Sequence, residues 1–113
     1  MKIKSTLLVL FLLFSLSGCG KAVPPEKLSY VGEWKQQSMY LLITQDGSVT
    51  YSRSKDRVHT TITNGPLQGF NGNNFDVGIG SIKTTFVVDK PPFKDGEQWK
   101  MVVDGVEVTK TPK

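Results

Sequence analysis

The chain has 113 residues and a formal charge of +4, with 38% hydrophobic and 21% charged residues, which is the composition of one small globular domain. Its single cysteine and single histidine exclude an intramolecular disulfide framework and a transition-metal cluster built on nitrogen and sulfur donors. No basic run with interleaved aromatic residues is present, so nucleic acid is not an expected partner.

Residues 1–18 stand apart from the domain. Lys2 and Lys4 make a basic start, Leu7 to Phe14 run without a charge, and Ser17 and Gly18 supply small residues. That is the order of a cleaved secretory signal. The 14 residues from Ser5 to Gly18 are too few for a membrane-spanning helix, which needs about 20. Removing Lys2 and Lys4 lowers the side-chain charge to +2, so part of the basic character belongs to the signal.

Leu16-Ser17-Gly18-Cys19 resembles the lipobox of bacterial lipoproteins, with an aliphatic residue, two small residues and an obligatory cysteine at the end of an apolar run. The resemblance implies that Leu16, Ser17 and Gly18 are recognised by the signal peptidase and that the Cys19 sulfur is thioether-linked to diacylglycerol. The Gly18–Cys19 bond is then cut and the new amine acylated. A thiol suits this role because its thiolate is the strongest nucleophile among side chains. Two or three acyl chains meet the requirement for stable anchoring, since one chain alone binds a bilayer only marginally. No cofactor beyond these chains is expected. Gly20 stands where, in the enterobacterial sorting pattern, an Asp would retain the protein in the inner membrane. The expected location is therefore the outer membrane, facing the periplasm.

Residues 19–29 comprise the lipidated cysteine and a predicted flexible tether, with no apolar periodicity and a Pro24-Pro25 pair. In a Pro-rich extended form its Gly20–Lys27 portion would hold the domain about 25 Å from the acyl chains. From residue 30 to 113 the pattern is all-β. Met39–Thr44 and Val49–Arg53 flank Gln45-Asp46-Gly47-Ser48, a hairpin signal because Asp and Gly tolerate positive φ. Arg57–Thr63 alternates as well.

Residues 64–74 follow, in which Gly and Asn predominate and neither strand nor helix is predicted. Leu67, Phe70, Asn71, Asn73 and Asn74 make this a candidate binding loop; the other reading has Leu67 and Phe70 form one turn that caps the core. Phe75–Ile79 and Ile82–Val88 are predicted strands, and Pro91-Pro92 is expected to end the second of them. Gln98–Val103 and Val106–Thr109 join through Asp104-Gly105, which calls for a type I′ turn and points Trp99, Met101 and Val103 inward. The fold class is thus all-β, a small antiparallel barrel or sandwich of about seven or eight short strands.

Gly32-Glu33-Trp34 at the start of the first strand resembles the lipocalin-like β-barrels. There the glycine allows close backbone approach and the tryptophan plugs the closed end. The resemblance implies an interior that either holds a small apolar ligand or is filled by side chains.

The remaining motifs are weaker. His59 falls on the polar phase of its strand and is expected to face solvent. Asp46, Asp95 and Asp104 each precede glycine, which turn chemistry explains. Gly78-x-Gly80 lacks a third glycine and a following helix. Pro91-Pro92-Phe93 could dock a partner, while Lys90, Lys94, Lys100 and Lys110 could form a basic edge or guard it against aggregation. No catalytic residue and no metal ligand is nominated. The expected function is a membrane-anchored, non-enzymatic periplasmic β domain that binds a ligand or partner or stabilises an envelope assembly, with an envelope protein or a small apolar ligand as the candidate partner. The alternatives are a carrier of a small apolar ligand and an inhibitor or immunity-type protein that blocks a periplasmic enzyme.

Overall fold

Apolar–polar alternation with a period of two buries one face of each strand, and an array of such strands must curl to cover that face. The computed structural model describes residues 20–112. It forms a single curled antiparallel sheet, a half-barrel of nine strands: β1 (Gly32–Gln36), β2 (Met39–Ile43), β3 (Ser48–Lys55), β4 (Val58–Asn71), β5 (Asn74–Ile79), β6 (Ile82–Phe86), β7 (Val88–Asp95), β8 (Gln98–Val103) and β9 (Val106–Lys110). The spatial order is β6-β5-β4-β3-β2-β1-β9-β8-β7. Sequence neighbours therefore pair throughout, apart from β6 and β7, and the first strand pairs with the last. The predicted processing site, Leu16 to Cys19, lies outside the described residues, as does Lys113.

Cross-strand registers build the core in rows. Trp34 faces Leu41, Leu41 faces Tyr51, and Tyr51 faces Ile62; Phe75 faces Phe86, and Met101 faces Val108. Trp34, Leu41, Phe75, Phe86, Met101 and Val108 are fully buried. The Phe75 and Phe86 rings stack with centroids 4.8 Å apart, and Tyr51 meets Phe86 edge-on at 4.9 Å. Side chains thus occupy the interior of the curl.

The two sheet edges, β6 and β7, are joined by Val87 alone. At that residue the chain leaves one edge and enters the other, and its backbone groups need partners outside the ladders. Val87 N–H donates to Asp104 Oδ1 (3.1 Å) and its carbonyl accepts from Asp104 N–H (2.7 Å). Val88 N–H donates to Asn74 Oδ1 (2.9 Å), and Gly105 N–H donates to Asp89 Oδ2 (3.0 Å). Asp104 and Gly105 both have positive φ, as the predicted type I′ turn requires. The turn also holds the corner, which its sequence did not announce.

Two expectations are corrected. Residues 64–74 are not a loop: β4 runs through Asn71, and only Gly72 and Asn73 remain as a turn. Asn64 with positive φ and the bulges near Val49/Tyr51 and Leu67/Gly69 let the strand change partner from β3 to β5. Gly and Asn serve here as bulge residues rather than strand breakers. Similarly, Pro91 and Pro92 do not end a strand. They lie inside β7, which is tolerated because β7 is an edge and its outer side has no ladder partner. The first segment lengthens β4 and the second adds β7, which brings the strand count to nine.

The Gly32-x-Trp34 pattern has a local cause. Gly32 has φ 142°, and a Cβ there would lie 3.2 Å from the Lys110 side-chain carbons. Lys110 crosses over Gly32, places Nζ 4.9 Å from the Trp34 ring centroid, and donates to the Ser29 carbonyl at 2.9 Å. Trp34 Nε1 donates to the Tyr30 carbonyl at 2.9 Å. Gly32→Ala is expected to cost about 1–3 kcal/mol, because φ near 142° is a glycine conformation. Urea unfolding should show a lower midpoint at unchanged m-value; a wild-type midpoint would mean that the β1–β9 seam does not need the glycine.

Candidate functional site

The N-terminal segment is the part of the fold through which an anchor at Cys19 would act. Gly20 N–H donates to the Gly47 carbonyl (3.2 Å), Lys21 N–H to the Leu67 carbonyl (2.8 Å) and Val23 N–H to the Gln45 carbonyl (2.9 Å). Leu67 N–H donates to the same Gly47 carbonyl at 2.9 Å. Val23 is buried in the core cluster. The backbones are so close that a Cβ on Gly20 would lie 2.2 Å from Leu67 N, and one on Gly47 would lie 2.1 Å from the Lys21 carbonyl oxygen. Gly47 has φ 94°, so it needs to be glycine on two counts.

After this contact, Pro25–Tyr30 forms a 3₁₀ turn, with proline at its start where a fixed φ is helpful. Lys27 Nζ donates to the Gly72 carbonyl (2.8 Å), and the buried Tyr30 donates its hydroxyl to the Asn73 carbonyl (2.9 Å). The expectation of a flexible tether is therefore corrected for residues 20–29. They dock, because Val23 and Tyr30 bury apolar surface and the backbone donors find carbonyls far along the chain.

The candidate binding loop is dispersed into the fold. Leu67 is buried and Phe70 packs on Tyr30 (centroids 5.0 Å) and Phe75 (5.7 Å). Asn73 accepts from Tyr30 through its carbonyl, and Asn74 holds Val88 through its side chain. Asn71 pairs with Asn74 across the turn and is exposed. Leu67 and Phe70 do pack against the core, as the capping alternative had it, but from a strand.

His59 is exposed, with Nδ1 2.7 Å from the Ser54 hydroxyl. The lysines of the expected basic edge each lie against a partner. Lys100 Nζ is 3.0 Å from Asp95 and 3.5 Å from Glu107. Lys90 sits over Phe93, and Lys94 and Lys110 sit over Trp99.

Four titratable groups among the described residues are shifted from their ordinary values. The Tyr40 hydroxyl donates to Glu33 Oε2 at 2.8 Å, and this bond, followed by one from Thr111, holds the Glu33 carboxyl below its ordinary 4.5. The same bond pushes the Tyr40 phenol up, burial pushes the Tyr30 phenol up, and Asp95 pushes the Lys100 ammonium up. All four shifts move away from neutrality, whereas general acid–base work needs them to move towards it. Among the described residues, no three His, Cys, Asp or Glu side chains stand together as metal ligands.

Comparison of the chain with protein-family models, with curated proteins and with solved structures finds no match.

Gly20→Ala is expected to undock residues 20–23. By hydrogen exchange, the Lys21 and Val23 amides should exchange about tenfold faster or more, while those of Leu41 and Met101 keep their protection; unchanged exchange at Lys21 would show that the contact yields without opening. Tyr40→Phe is expected to move the Glu33 titration up towards 4.5 in an NMR pH series. Because the folded pKa is depressed, the hydrogen bond stabilises above the ordinary carboxylate range and its contribution is lost as pH falls through the folded value.

Proposed function

We propose that the chain is a lipid-anchored bacterial lipoprotein whose β domain acts by binding at the cell envelope and not by catalysis. The observation that carries this reading is Leu16-Ser17-Gly18-Cys19 at the end of an uncharged run, one residue before the chain becomes fixed on the sheet at Gly20. The acyl chains on Cys19 hold the domain at the outer membrane, on its periplasmic side. The partner is an envelope protein.

The up-and-down strand order and the burial of Trp34 agree with a small lipocalin-like barrel. The carrier alternative has less support, since Tyr51, Phe75, Phe86 and Met101 pack the interior. The inhibitor alternative rested on a protruding loop, and residues 64–71 are strand.

Cys19→Ser tests the reading. In detergent phase separation the wild-type protein is expected in the detergent phase, carrying labelled fatty acid; the variant is expected to carry no label and to lose the processed form. Label retained in Cys19→Ser would sink the lipoprotein reading.

A further inference from the structure

Beside the docked Gly20, the β5–β6 hairpin ends in Ile79-Gly80-Ser81-Ile82. Ile79 and Ile82 face each other across the turn and are 76% and 84% exposed. By contrast, Ile43 is fully buried and Ile62 packs against the core. The turn itself is Gly80-Ser81, as turn chemistry favours, while the flanking isoleucine pair leaves most of its apolar surface uncovered by the fold.

The tip is well held. Gly78 has φ 142°, and its backbone approaches Ile82 so closely that a Cβ would lie 2.3 Å from the Ile82 carbonyl oxygen. Gln68 Nε2 donates to the Gly80 carbonyl at 2.8 Å. Gly20 and Lys21 line the same surface depression as Ile79 and Gly80. Lys21 is exposed next to these residues, as is Lys83, whose Nζ lies 3.6 Å from Asp76 Oδ2.

We propose that the Ile79–Ile82 tip enters the interfacial layer of the bilayer that holds the Cys19 acyl chains, with Lys21 and Lys83 at the level of the headgroups. This rests on the lipoprotein reading. Cys19 is one peptide unit from Gly20, about 3.8 Å between Cα atoms, and Gly20 is bonded to Gly47 and packed on Leu67. That leaves only the Cys19 side chain and the glycerol as spacer between the docked segment and the surface the chains enter. Two isoleucines bind a bilayer weakly on their own, but apolar burial adds to the attraction of lysine for anionic lipid. With the anchor inserted, the contact is intramolecular and weak affinity is enough. The second contact fixes which side of the barrel faces away from the membrane.

The test uses the lipidated, processed protein carrying Ile82→Cys, labelled with an environment-sensitive nitrobenzoxadiazole. Glu97→Cys, in the β7–β8 turn, serves as the reference. The Cys19 sulfur is already a thioether and takes no label. Vesicles of phosphatidylethanolamine with a minority of phosphatidylglycerol are floated on a density gradient. Both proteins are expected to float. The position-82 probe should shift to the blue and be quenched by lipid-borne nitroxides, and the position-97 probe should do neither. Flotation with a water-like probe at position 82 would overturn the tip contact and leave the anchor standing. A blue-shifted probe that the nitroxides do not reach would put a protein surface, a partner or a second copy, over the tip and equally overturn it. Failure to float would overturn the anchor, and the tip contact with it.

Discussion

The curl of the sheet depends on the seam between its first and last strands. Only two residue pairs, Trp34 with Lys110 and Lys35 with Thr109, register there. So short a ladder supplies few hydrogen bonds, and the Lys110 side chain adds what they lack. Its alkyl stem fills the space that Gly32 leaves open, and its ammonium meets both the Ser29 carbonyl and the Trp34 face. A cation over an aromatic ring contributes about 0.5–2 kcal/mol, with more when it is desolvated. Thr111 N–H then donates to the Glu33 carbonyl (2.8 Å), extending the seam past the end of β9. Trp34 is covered because this closure holds, and the rows of core residues behind it depend on Trp34.

The two edges of the half-barrel are linked to each other by covalent continuity and not by a ladder. β6 and β7 remain true edges, yet one residue joins them, and Asp104 and Asn74 bond the backbone at the corner. Edge strands invite pairing with other chains. Pro91 and Pro92 make β7 a poor template, and Lys90, Lys94 and Lys83 put charge along the two edges. The lysines read from the sequence as an edge device are placed accordingly, although Lys100 and Lys110 serve ion pairs and aromatic faces instead.

Local patterns were legible and long-range ones were not. The Asp104-Gly105 hairpin was readable because a two-residue loop fixes its own register, and the Met39–Arg53 hairpin was readable from alternation on both arms. Residues 64–74 read as a loop in sequence because Asn and Gly look alike whether they make a loop or a bulge; the difference lies in β3 and β5, which lend the strand its partners. The docking of residues 20–29 left no mark in composition. Its hydrogen bonds reach Gln45, Gly47 and Leu67, and the only local hint was that position 20 and position 47 are both glycine. The pair at Ile79 and Ile82 passed as ordinary strand alternation, since the sequence does not say that their strand overhangs the core.

The packing at Gly20 bears on how such a protein could change its destination. In the sorting pattern that the lipobox resemblance brings with it, the residue after the lipidated cysteine carries the retention signal. Here that residue lies against the Leu67 backbone with no room for a Cβ, let alone a carboxylate. An aspartate could be installed only by pulling the segment off the sheet or by inserting chain between the cysteine and the docked glycine. On the proposed lipoprotein reading, routing and folding would be specified by the same atoms, and the absence of an aspartate at position 20 would follow from a steric limit as well as from an address.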